Sequence, residues 1–188
     1  MKRLLFALAL SGCALTQKGE ALDVRYFTPE HVRPTLTSAA TESAHGLRLG
    51  RVSSGMHLRE RIAYRDGPYE IGYYDDRRWT ERPEVYVRRR LARVLFEERG
   101  FTRSDRAPNL DVEVIAFEEV RMRDEHAARI VVRAVLTGDD GVLFEDTITA
   151  EERVARGASI EEVVAATARA LDTIGDEIAK RVNAALPR

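Results

Sequence analysis

Two periodicities divide this chain. Residues 128–136 repeat every second position, with Ala128, Ile130, Val132, Ala134 and Leu136 on one side and Arg129 and Arg133 on the other. Successive side chains leave a strand on opposite faces, so this spacing predicts a half-buried strand. Gly138-Asp139-Asp140-Gly141 reads as a turn, and residues 142–150 return as the second arm of a hairpin. Residues 110–117 are rich in Val and Ile and alternate in part, which adds a third strand to a meander. Nearer the N-terminus, residues 23–27 and 47–52 read as short strands. Residues 61–65 and 69–74 flank Asp66-Gly67-Pro68 and predict another hairpin, with Tyr69, Ile71 and Tyr73 on one face and Tyr74 on the other. Residues 28–45 carry two prolines and a Thr/Ser/Ala stretch and read as loop.

The other periodicity is helical. Val87, Leu91, Val94 and Leu95 fall at i, i+4, i+7 and i+8 within residues 83–99, with Pro83 at an early helical position and Gly100 as the stop. Ser159-Ile160-Glu161-Glu162 is a capping box, in which the serine and the glutamate three residues on satisfy each other's main-chain N–H groups. It opens a helix of about 26 residues, about 39 Å long, with Val163, Thr167, Leu171, Ile174, Ile178 and Val182 inward. The expected core is Leu91, Leu95, Ile130, Val132, Leu171, Ile174 and Ile178. Strands, helix, strands, helix is the order of an α/β fold: a mixed β-sheet covered by two main helices.

Composition narrows the functional classes. Of 188 residues, 44% are hydrophobic and 32% charged, enough for a packed core and against wholesale disorder. Lys plus Arg is 30 and Asp plus Glu 31, a balance that argues against a general nucleic-acid binder. No apolar run reaches the length of a membrane span. His31, His45, His57 and His126 are not at helical pair spacing and there is a single cysteine, so no metal site and no cofactor are expected. Asp139-Asp140-Gly141 lacks the alternating ligands and closing glutamate of a calcium loop. Neither a nucleophile elbow nor a phosphate-binding loop occurs, and nothing selects a catalytic pair from the scattered carboxylates.

The N-terminus sets the expected compartment. Met1-Lys2-Arg3, an apolar run over residues 4–10 and Ser11-Gly12-Cys13 are the parts of an export signal. Leu10-Ser11-Gly12-Cys13 resembles a bacterial lipobox, which implies cleavage before Cys13 and acylation of its sulfur. The alternative is a structural cysteine behind a stray apolar N-terminus. The expected organisation is a signal peptide over residues 1–12, a lipidated cysteine and tether over 13–22, and a single periplasmic domain over 23–188. Processing removes Lys2 and Arg3 and leaves 28 basic side chains against 31 acidic. Residue 14 is alanine, not aspartate; by resemblance to Gram-negative lipoproteins this implies sorting to the outer membrane.

Two candidate partner-binding surfaces follow. Tyr64, Tyr69, Tyr73 and Tyr74 cluster within eleven residues, followed by Trp79. Aromatics with a polar tip suit an interface, although Trp79, leading into a helix, is expected in the core. Residues 77–106 hold ten arginines against five acids, whereas residues 107–152 hold four against twelve. Arg88, Arg89 and Arg93 on the first helix are the candidate basic face, for anionic headgroups or for an acidic surface of a like subunit. The competing reading is a solvated face with Glu84–Arg88 and Arg93–Glu97 pairs.

Together, the lipobox ending at Cys13, the strand Val24-Arg25-Tyr26-Phe27, the stretch Leu58 to Arg65, Trp79-Thr80 before a helix, and the long closing helix resemble the PqiC-like auxiliary lipoproteins of ABC-type transport systems. The resemblance implies a fold similar to TolB N-terminal and anticodon-binding-like domains. It further implies a non-enzymatic outer-membrane partner of an MCE-domain protein with its ABC permease and ATPase, able to form homo-oligomeric rings. The alternatives are an LPS-assembly or secretion-type lipoprotein on a related scaffold and, further off, a lipid-anchored envelope hydrolase.

Overall fold

The computed structural model describes residues 22–30, 45–123 and 125–186. The signal, Cys13, nearly all of the tether and most of the 28–45 loop lie outside the described residues. Eight strands form a mixed sheet: β1 (Arg25–Phe27), β2 (Gly46–Ser54), β3 (Arg61–Arg65), β4 (Gly72–Trp79), β5 (Thr102–Arg103), β6 (Asn109–Met122), β7 (Glu125–Gly138) and β8 (Gly141–Arg153). Helix α1 (Pro83–Ala92) separates β4 from β5, and α2 (Ile160–Ala185) closes the described chain. The α/β expectation, a mixed sheet with two main helices, is the architecture observed.

Strand β6 organises the sheet. One edge carries β7 antiparallel along its full length, and β8 continues that meander. The other edge is divided: β2 runs parallel beside Asn109 to Val114, and β3 parallel beside Glu118 to Val120. β4 and then β1 extend from β3, while β5 pairs with β2. Between the two halves Ile115 is an extra residue in the β6–β7 ladder, left 41% exposed. A bulge of this kind flips the faces beyond it. Leu110, Val112 and Val114 therefore face the helices before it and Phe117 after it, which is why residues 110–117 alternate only in part.

Both helices lie on one face of the sheet, α2 on β7 and β8, α1 on β2 and β6, and they touch each other. The seven expected core residues are all buried. The α2 capping box forms as read, with Glu162 N–H donating to Ser159 Oγ and Ser159 N–H donating to the Glu162 carboxylate. Trp79 meets Tyr86 and Phe117 edge-on, and those two rings stack on each other, where β4 turns into α1. The Tyr86 hydroxyl accepts from Glu81 N–H and bonds Thr80, anchoring the start of the helix.

Several element boundaries differ from the sequence reading; the strand expected at 110–117 runs from Asn109 to Met122, and β5 has no counterpart among the expected strands. The strand expected at 69–74 begins at Gly72 and runs to Trp79, so Tyr69 and Ile71 belong to the loop. Its second half, Asp75-Asp76-Arg77-Arg78, has no apolar alternation; pairing with β1 and β3 makes it a strand. Gly72 is required because a side chain there would run into the Tyr64 ring. The helix expected over 83–99 is α-helical to Ala92 and continues as a π-helical segment, Arg93–Glu98, before Gly100 at φ 70°. The wider turn keeps Val94 and Leu95 both buried.

Candidate docking surfaces

Two adjacent glutamates at the end of β6 project to opposite faces of the sheet, as strand geometry dictates. Glu118 faces away from the helices. Arg65 from β3 donates to it at 2.9 and 3.2 Å, and Arg129 from β7 at 2.7 and 3.3 Å. Burial pushes its pKa up, but the two guanidinium groups outweigh that and hold it below the ordinary carboxylate value. Glu119 faces the helix side, where Tyr74 Oη donates to it at 2.6 Å and His126 Nε2 lies 2.7 Å away. Burial and then the hydrogen bond to Glu119 push the Tyr74 hydroxyl up to about 12. Arg121 completes the cluster, bonded to Tyr74 Oη and to both oxygens of Asp66, with its guanidinium 3.5 Å from the centre of the Tyr64 ring. Sequence reading missed both glutamates. Its strand stopped at Phe117, and the partners come from strands up to 53 positions away.

The tyrosines separate accordingly. Tyr74 spends its hydroxyl on Glu119. Tyr69 stands on the 66–71 loop at 99% exposure. Tyr73 is half-buried, donates to the His57 carbonyl at 3.1 Å and lines a shallow groove of about 490 Å³ with Met56, His57, Arg59, Glu60, Arg61 and Arg78. Trp79 is in the core, as expected.

The arginines of α1 and of the π-helical segment after it separate as well. Arg88 donates to the Gly50 carbonyl at 2.7 Å. Arg89 is held between Glu30 and Glu81. Arg93 is exposed and makes no ion pair among the described residues; it lines the cleft between the helices beside Arg90, which faces Glu98, Asp172 and Asp176. The Glu84–Arg88 and Arg93–Glu97 pairs do not form, because Glu84 accepts from Ser54 Oγ and Arg88 reaches β2 instead. Folding also neutralises part of the acidic segment: Glu152 and Asp146 meet Arg169 and Arg181 of α2, while Glu145 and Glu151 pair within the segment with Arg133 and Arg129. Among the described residues no group of histidine, cysteine and carboxylate side chains is placed to hold a metal ion, and no helix is long and apolar enough to cross a membrane.

Residues 30–179 match the model of a family described as the ABC-type transport auxiliary lipoprotein component. Among solved structures, a Xanthomonas campestris protein of the DUF330 family superposes with a TM-score of 0.72 at 21% identity, covering 86% of this chain and 96% of that one. A second, described only as an uncharacterized protein, gives 0.66 at 15% identity, covering 84% and 97%. At these identities the likeness is one of fold. No curated protein matches the sequence.

Proposed function

This chain belongs to the ABC-type transport auxiliary lipoprotein family, and from that premise we propose that it is the lipid-anchored docking partner of an MCE-type ABC system that moves lipids across the Gram-negative envelope. The reading places it on the periplasmic face of the outer membrane, held by acylated Cys13, and acting without turnover of a substrate. Ring formation by several copies belongs to the same proposal. The observation that carries it is the family match over residues 30–179, most of the folded chain. The interior chemistry is in keeping with it: the buried carboxylates Glu118 and Glu119 are each bonded to two side chains from other strands of the sheet.

Exposure and pairing then favour some of the candidate residues over others in this reading. Nine tether residues reach at most about 30 Å, so the domain stays near its leaflet and the transport machinery must come to it. Tyr69 is free to be buried by a partner, and Arg93, at the start of the π-helical segment, is exposed with no ion pair among the described residues. Arg88, Arg89 and Tyr74 serve the fold first. The test is recovery of envelope partners on the purified lipoprotein. The parent chain should bring down MCE-domain, permease and ATPase components, and Tyr69→Ser with Arg93→Glu should lower that recovery at least about five-fold with thermal stability unchanged. Recovery of LPS-assembly or secretion components in their place would overturn the reading in favour of the alternative scaffold role.

A further inference from the structure

We infer that the sheet edge formed by β1, β4 and the β2–β3 loop is a second, non-covalent contact with an anionic phospholipid surface. Strand register builds it. Tyr26 of β1 is the partner of Arg78 of β4, and Arg78 is the partner of Arg61 of β3, so the three stand in a row on one face. The β2–β3 loop adds Met56 and Arg59 to the same groove.

The charges there are poorly neutralised. The Arg59 guanidinium donates to the Met56 carbonyl, and that of Arg78 to the carbonyls of Tyr74, Asp75 and Arg77. Arg61 comes only within 4.0 Å of Asp75, with both side chains exposed. Glu60, the carboxylate lining the groove, is hydrogen-bonded by Arg82 and shares its charge between Arg82 and Arg59. Main-chain carbonyls orient a guanidinium without cancelling its charge, so Arg59 and Arg61 face outward with N–H donors suited to phosphate oxygens, while Arg78, half-buried with its donors on carbonyls, adds positive charge behind them.

Apolar side chains stand among them: Met56 is 88% exposed and Tyr26 66%. Apolar tips interleaved with arginines match the boundary between headgroups and acyl chains, where the tips enter and the arginines take the phosphates. An acidic protein segment would answer the charge but leave the protruding tips uncovered. The order of the chain favours lipid as well. Cys13 stands twelve residues before β1, so an acyl anchor there would hold this edge within about 40 Å of the bilayer. That last argument rests on the anchor reading; the register and the charges do not.

The experiment uses the full chain carrying Cys13→Ser, so that no acyl group enters, and flotation with vesicles of phosphatidylglycerol and phosphatidylcholine or of phosphatidylcholine alone. The apolar run at residues 4–10 is common to every variant, so differences between variants carry the result. The parent should favour the anionic vesicles and lose binding as salt rises. Arg59→Glu with Arg61→Glu should weaken partitioning at least about ten-fold, since each basic side chain is worth about 1 kcal/mol at such a surface. Met56→Ser with Tyr26→Ser should weaken it a few-fold, and the charge-matched control Arg106→Glu with Lys180→Glu much less than the first pair. Equal binding of the parent to both vesicle types, or binding of both groove variants at the control's level, overturns the inference. Loss of envelope-partner recovery by Arg59→Glu with Arg61→Glu, with vesicle binding intact, would make the groove a protein site and also overturn it. Failure of the Tyr69 and Arg93 test leaves these vesicle results standing, so the two proposals fail separately.

Discussion

Glu118→Gln isolates the charge at the centre of the sheet while keeping its shape. The Glu118 side chain is 2% exposed, and Arg65 and Arg129 are 18% and 20% exposed. The substitution removes the negative charge between two largely buried guanidinium groups and turns an amide N–H₂ toward their donors. Removing one partner from a buried ion pair costs about 3–5 kcal/mol. Two features place the expected loss near the lower end. Both arginines reach the uncovered face of the sheet and can swing toward water, and Arg129 keeps Glu151 at 3.5 Å. The expectation is a loss of about 3 kcal/mol at pH 7, which corresponds to a melting temperature roughly 6–12 °C lower for a domain of this size. The pH dependence supplies an independent check. Glu118 titrates below its ordinary value of 4.5 in the fold, so its contribution is present above that value and is lost as pH falls through the depressed one. Urea unfolding followed by circular dichroism should therefore show the gap between parent and variant at pH 7 and its closing at lower pH. A loss below about 1 kcal/mol at pH 7, or a gap that persists unchanged in acid, would refute the assignment of Glu118 as an ionised bridge.

Leu95→Ala, at a position with no exposed surface on the π-helical segment, should cost about 2–5 kcal/mol in the same unfolding assay, and a cost below about 0.5 kcal/mol would mean that the face of this helix is wrongly placed. Cys13 should carry acyl mass in the mature protein by mass spectrometry, and Cys13→Ser should release the protein from the membrane fraction; an intact Met1 with a free thiol on Cys13 would remove the anchor from the functional reading.

What the sequence determined by itself is what one-sided burial writes into local spacing. The β7–β8 hairpin, the capped helix α2 and the inward face of α1 are legible because each buries one stripe, and a stripe repeats every two residues in a strand or every three to four in a helix. The resemblance of residues 10–13 to a lipobox and the family resemblance are equally local, a matter of residue types in order. Tertiary structure decided what depends on residues distant in sequence. Asp75 to Arg78 form a strand only because β1 and β3 flank them. Ile115 breaks the β6 period because one edge of that strand must serve both β2 and β3. Glu118 and Glu119 look like solvated acids in the sequence and are buried in the fold, since their countercharges and donors lie on β3, β4 and β7. The same holds for the arginines. A run of ten between residues 77 and 106 announces a basic surface, but which guanidinium is neutralised and which faces outward depends on carboxylates brought in from up to 86 positions away, as with Arg90 and Asp176. Charge pairing acts through space, and spacing along the chain does not encode it.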